Sequence, residues 1–179
     1  MARCAAPRTR LAVALPAGAA LLAGLIAAGC QPIRKPPPTV FFGGLPVSGR
    51  LADAQRAGFT DCFNMDAAHL RCRRHAVMVL GSGPYEAAVD LEGGNGEGGF
   101  DQLVVWHLRD NYAVYAIADA LEKAGWKSCS TGENGRGDQA IYRRKGSPVW
   151  ASEDISYFAK RRIRLIPEWK RGERGCTPT

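Results

Sequence analysis

A stretch that occurs twice constrains this chain more than any other feature. Val47, Leu51, Ala54, Ala57, Gly58, Phe59 and Cys62 recur 67 residues further on as Val114, Ala118, Leu121, Ala124, Gly125, Trp126 and Cys129. The shared shape is an amphipathic stretch followed by Ala-Gly-aromatic-x-x-Cys. Val114, Ile117, Ala118 and Leu121 fall at helical spacing, with Asp110 or Asn111 as the cap, and Ser48 is the corresponding cap of the first copy. Gly58 and Gly125 stand where a helix ends in a left-handed residue, a conformation glycine adopts without steric cost. Each helix is therefore expected to run into a strand that opens with a buried aromatic. An Arg-Arg pair follows in both copies, Arg73-Arg74 and Arg143-Arg144.

The strands between these points are legible from alternation. Leu70 to Leu80 ends in the apolar run Val77-Met78-Val79-Leu80. Tyr85, Ala87, Val89 and Leu91 alternate with Glu86, Ala88, Asp90 and Glu92, a half-buried antiparallel pattern. Leu103-Val104-Val105-Trp106 reads as a fully buried strand, and Ile163 and Leu165 alternate with Arg162 and Arg164. A helix followed by several strands, twice over, predicts an α+β fold. Two helices would pack on one face of a mostly antiparallel sheet, built by internal duplication of a helix-plus-strands unit.

Ahead of the repeat lies an address. Residues 1–10 carry three arginines and no acid, residues 11–28 carry no charge, and Gly29-Cys30 follows. A basic start feeding an apolar run that ends in small residues is the layout of a secretory signal. Ala27-Ala28-Gly29-Cys30 resembles the lipobox of bacterial lipoproteins, with Ala27 at a position where leucine is usual. The resemblance covers residues 1–30 only. It implies cleavage before Cys30, diacylation of its sulfur and acylation of the new N-terminus; two or more acyl chains anchor stably where one does not. Gln31 in the next position implies sorting to the outer membrane. Gln31-Pro32-Ile33-Arg34-Lys35-Pro36-Pro37-Pro38 then reads as an extended proline-rich spacer. The expected organisation is a signal peptide over 1–29, a lipidated N-terminus and linker over 30–38, and one periplasmic domain over 39–179. Losing Arg3, Arg8 and Arg10 lowers the net charge from +7 to +4, a mildly basic balance.

Export sorts the six cysteines. Cys4 leaves with the signal and Cys30 takes the lipid, so Cys62, Cys72, Cys129 and Cys176 remain, an even number in an oxidising compartment where disulfides are the default. Cys62 with Cys72 and Cys129 with Cys176 is one pairing. Cys62 with Cys129, the equivalent positions of the two copies, is another.

Catalytic and metal patterns are weak. Gly94-Asn95-Gly96-Glu97-Gly98-Gly99 carries the letters of a dinucleotide fingerprint, yet a strand pattern follows it rather than a helix, so a hairpin loop is expected. His69, Cys72 and His75 alternate in direction along a strand and cannot converge on zinc with Cys62. Gly81-Ser82-Gly83 is too short for a nucleophile elbow, and no serine, acid and histidine set presents itself. The domain is therefore expected to be non-catalytic, with no cofactor and no metal.

Basic residues carry more information. Arg71, Arg73, Arg162 and Arg164 alternate with apolar neighbours, and together on the solvent face of a sheet they would form a patch for an anionic envelope component or an envelope protein. Glu86, Asp90 and Glu92 on a neighbouring strand are their competing partners. Export denies access to cytosolic nucleic acid. The expectation is a lipid-anchored binding or scaffolding module; the rivals are a small periplasmic enzyme, or an inhibitor or protective protein that docks on another enzyme.

Overall fold

The computed structural model describes residues 39–132, 138–155 and 160–170. The signal, Cys30, the proline-rich linker and Cys176 lie outside the described residues. In chain order the elements are β1 (Phe41–Phe42), β2 (Leu45–Pro46), α1 (Leu51–Arg56), β3 (Asp61–Asn64), β4 (His69–Val79), β5 (Ser82–Glu92), β6 (Gly99–Trp106), α2 (Tyr115–Lys123), β7 (Lys127–Ser130), β8 (Gln139–Arg143), β9 (Val149–Asp154) and β10 (Ile163–Pro167). β1 and β2 form a small hairpin. The other eight strands form one antiparallel sheet in the order β3-β4-β5-β6-β10-β9-β8-β7.

The expected α+β class is corrected to a mainly-β fold, with 47% of the described residues in strands against 12% in helices. The reason is extent. α1 and α2 span only six and nine residues, whereas β4 and β5 span eleven each, and the sheet runs through both halves without a break. Among the described residues no helix is long and apolar enough to cross a membrane.

The strand order gives the two copies matching structure. Each is a helix followed by four antiparallel strands, and the last strand of each, β6 and β10, meet at the centre of the sheet. The helix exits coincide in detail. Gly58 and Gly125 have φ of 84° and 82°, and their amides donate to Gln55 and Glu122 carbonyls at 3.0 and 2.9 Å. The next amides, on Phe59 and Trp126, donate to Ala54 and Leu121 at 3.0 and 3.1 Å. The repeated Arg-Arg pair also gains a purpose. Arg74 Nη1 donates to the Ala57 carbonyl at 2.9 Å, and Arg144 Nη1 to that of Ala124 at 3.4 Å. A cation on the last carbonyls of a helix offsets its dipole by roughly 0.3–1 kcal/mol.

The N-terminal caps differ from expectation. Asp53 closes the first turn of α1 by accepting the Arg50 amide at 2.8 Å, while Ser48 is buried and its Oγ accepts the Val40 amide at 2.7 Å. Asp110 accepts the Tyr112 amide at 2.8 Å, one turn ahead of α2.

The main core lies on the helix side of the sheet. Ala54 of α1 and Ile117, Ala118 and Leu121 of α2 share it with Leu70, Cys72, Val89, Leu103, Val105, Ile163 and Leu165. In β4 the alternation breaks at a bulge between Arg74 and Val77, where Ala76 has φ of 52°. His75 thereby stays on the open face with Arg71 and Arg73, while Val77 and Val79 return to the core.

Leu80 and Gly81 close the β4–β5 hairpin with φ of 50° and 84°, the two positive values of a tight two-residue turn. A side chain such as leucine is strained there, and asparagine tolerates the conformation. Leu80→Asn should therefore raise stability by about 1 kcal/mol, read as a higher urea midpoint with an unchanged slope.

Candidate functional site

The face opposite the helices carries the basic residues, and register sets their rows. Asp61, Arg73, Ala88, Val104, Arg164, Ser152 and Ile141 follow one another across the sheet. In the neighbouring row Phe63, Arg71, Asp90 and Gln102 lie side by side. A cleft of about 190 Å³ opens on this face, lined by Arg71, Arg73, Val104, Trp106, Lys160 and Arg162. Three of the four arginines read from the sequence thus share one cleft. Arg164 does not line it; it sits two positions along β10 and donates through Nη2 to Ser152 Oγ at 3.0 Å.

The lining cations differ in what they already hold. Arg71 makes a bidentate pair with Asp90, Nε to Oδ1 at 2.6 Å and Nη2 to Oδ2 at 2.8 Å. Gln102 Nε2 adds a third bond to Asp90 Oδ2 at 2.9 Å. The hydrogen bonds that Arg71 donates to Asp90 hold its guanidinium pKa above the ordinary value. Arg73 lies with its guanidinium 4.6 Å from the Phe63 ring centroid, and its buried Nε has no hydrogen-bond partner. Lys160 donates to the Leu108 carbonyl at 3.2 Å. Arg162 is exposed and forms no ion pair among the described residues. The acids expected to compete divide elsewhere: Glu86 meets His75, and Glu92 meets Lys170 Nζ at 2.8 Å.

Alternation alone found the arginines. Lys160 and Trp106 completed the cleft without a comparable signal, because Trp106 ends an unbroken apolar run that assigns no face. Farther across the same side, Ile141, Trp150 and Ile166 form a second apolar cluster, with the Arg143 guanidinium 5.2 Å from the Trp150 ring centroid.

The cysteines sort as follows. Cys62 and Cys72 face each other in register between β3 and β4 and are joined by a disulfide, with Cα atoms 4.0 Å apart. This overturns the alternative in which Cys62 bonds Cys129. Cys129 is also disulfide-bonded, and Cys176, its expected partner, lies outside the described residues. The sulfurs of Cys62 and Cys72 being spent on each other, neither is a thiolate ligand. Among the described residues no group of three or more His, Cys, Asp or Glu side chains is placed to hold a metal ion.

A second cleft, about 380 Å³, opens beside the β4 bulge and is lined by His75, Ala76, Pro84, Glu86, His107, Leu108 and Arg109. His75 Nδ1 contacts Glu86 Oε2, with the histidine side chain 64% exposed. His107 Nδ1 accepts the Asp110 and Arg109 amides at 2.9 and 3.3 Å, so in its neutral form the proton sits on Nε2. Among the described residues no serine, threonine or cysteine lines this cleft. His69 stands apart, bonded to Asp66 at 2.9 Å.

One buried acid lies on the core side. Glu153 is 1% exposed and accepts from Tyr142 Oη at 2.9 Å, while its Oε1 has no partner. Burial pushes its pKa above the ordinary carboxyl value of 4.5, partly opposed by the Tyr142 hydrogen bond, and the Tyr142 hydroxyl is itself pushed up by burial. A carboxyl whose folded pKa is raised costs stability once it ionises, and this cost fades as pH falls toward the unfolded value. Glu153→Gln should stabilise the fold by about 1 kcal/mol at pH 7. The gain should vanish below pH 4.5, as read from urea midpoints of both proteins across that range.

Compared with known proteins, the chain matches no family model, and no curated protein or solved structure matches it either. The class that fold and site define is thus a mainly-β domain of two helix-plus-four-strand halves with a basic cleft on its helix-free face.

Proposed function

We propose that the chain is an exported envelope lipoprotein, anchored through Cys30 at the periplasmic side of the outer membrane. Its domain is a non-catalytic binding or scaffolding module that engages an anionic envelope component or an envelope protein through the helix-free face. The observation that carries this reading is the cleft lined by four cations, Arg71, Arg73, Lys160 and Arg162, and by no acid among the described residues. Clefts of one charge sign concentrate ligands of the other. The layout of residues 1–30 supports the anchor.

Two measurements test the reading. A clickable fatty acid should label the parent and not Cys30→Ser in intact cells; equal labelling removes the anchor. A photo-reactive residue at Asp61, beside Arg73 on the open face, should form adducts in those cells that are lost in an Arg73→Glu/Arg162→Glu background. The same residue at Lys123 on α2 should form none. Adducts that arise from position 123, or that survive the charge reversal, overturn the face assignment.

A further inference from the structure

We infer that the cleft of Arg71, Arg73, Lys160 and Arg162 receives a single phosphomonoester, with the short carbon skeleton it carries lying on Trp106 and Val104. The inference rests on the reading of this face as the binding face and names the chemistry the face takes. Charge is the first argument. Of the four lining cations, Arg71 is neutralised by Asp90. Arg73 has the Phe63 ring against it and, with Asp61 next in its row, forms no ion pair among the described residues; Lys160 has a carbonyl, and Arg162 has no ion pair among the described residues. Three positive charges thus border one cleft with no carboxylate among its described lining residues. A phosphomonoester brings about −1.5 to −2 charges and three acceptor oxygens at neutral pH. A carboxylate brings one charge and two oxygens, and Arg71 has already taken one in Asp90.

Geometry is the second argument. Guanidinium groups bind phosphate oxygens in forked pairs, and lysine adds a compact charge with rotatable donors. Arg71 is pre-oriented by its bonds to Asp90, and the Phe63 ring lies against the Arg73 guanidinium, so less order has to be imposed on binding. Size is the third. The cleft, about 190 Å³, is smaller than the roughly 300–1,000 Å³ of sites for drug-sized ligands. It holds a phosphate and a few carbons. The half-buried Trp106 and buried Val104 supply an apolar floor for those carbons.

The same chemistry is offered by a free phosphorylated metabolite and by a lipid headgroup, and the test separates them. The full chain carrying Cys30→Ser, which removes the acylated sulfur, would be titrated with glycerol 3-phosphate and inorganic phosphate, and separately with phosphatidylcholine vesicles with and without phosphatidic acid, following tryptophan fluorescence. Trp106→Phe identifies the reporting ring. Saturable binding of the soluble phosphates identifies a free metabolite; binding confined to doped vesicles identifies a headgroup. In either case Arg73→Gln and Arg162→Gln should each weaken binding about tenfold, while Lys123→Gln on the opposite side changes nothing. Thermal melts confirm that each variant folds, and Arg162, being exposed, is the substitution least able to disturb the core.

Failure of every phosphate probe overturns the inference, as does unaltered affinity in both arginine variants. Sulfate and acetate binding as tightly as glycerol 3-phosphate also overturns it, since that marks a general attraction for anions. If these results occur while adducts still form from position 61 and not from 123, the phosphate chemistry is wrong and the face assignment stands. Adducts from position 123 would remove the face assignment whatever the titrations show.

Discussion

Arg71→Met should cost the domain about 3 kcal/mol, because it strands the buried carboxylate of Asp90. Asp90 is 4% exposed at its side chain, against 19% for Arg71, so the acid suffers more when the pair is broken. Gln102 would remain as its side-chain hydrogen-bond partner among the described residues. Replacing both partners, Arg71→Met with Asp90→Leu, should recover most of the loss, since an apolar pair of similar volume carries no uncompensated charge. Urea unfolding at pH 7 reads both. A single substitution that costs under about 1 kcal/mol would show that water reaches Asp90 and that the pair is a surface pair in energy.

Phe59→Ala and Trp126→Ala should each destabilise by about 3–5 kcal/mol, and by similar amounts. Both rings stand between a helix and the strand that follows it, both are buried, at 0% and 4% exposure, and both follow a glycine with the same left-handed turn. The Trp126 ring also meets Phe42 edge-on at 5.7 Å and carries the Arg144 guanidinium 5.5 Å from its centroid. If one substitution unfolds the domain and the other costs little, the two halves do not share a supporting role, despite their matching backbone. Thermal melts monitored by circular dichroism decide it.

How much of this was legible beforehand varies with the physical cause. Helix exits were readable because the left-handed residue admits glycine at little cost, so Gly58 and Gly125 mark their positions by type. The strand faces of β5 and β10 were readable from alternation. Fold class was misjudged because helical spacing reports which face of a helix is apolar and says little about its length beside eleven-residue strands. The bulge had no signature at all: Ala76 takes a conformation against its own preference, imposed by the tertiary frame. In the cleft, the arginines stood out from apolar neighbours. Trp106 and Lys160 did not, since one closes a continuous apolar run and the other lies outside any element.

The central seam has a consequence for how the molecule would survive cutting. The polypeptide passes from one half to the other only along the segment between Trp106 and Tyr115, whereas β6 and β10 are zipped together by backbone pairing and by Val105, Leu103, Ile163 and Leu165 on the helix side. The Cys62–Cys72 bond closes within the first half and does not straddle the seam. A single protease nick at the exposed Arg109 would therefore cut the backbone without parting the two pieces, which would migrate together until denatured with their disulfides reduced.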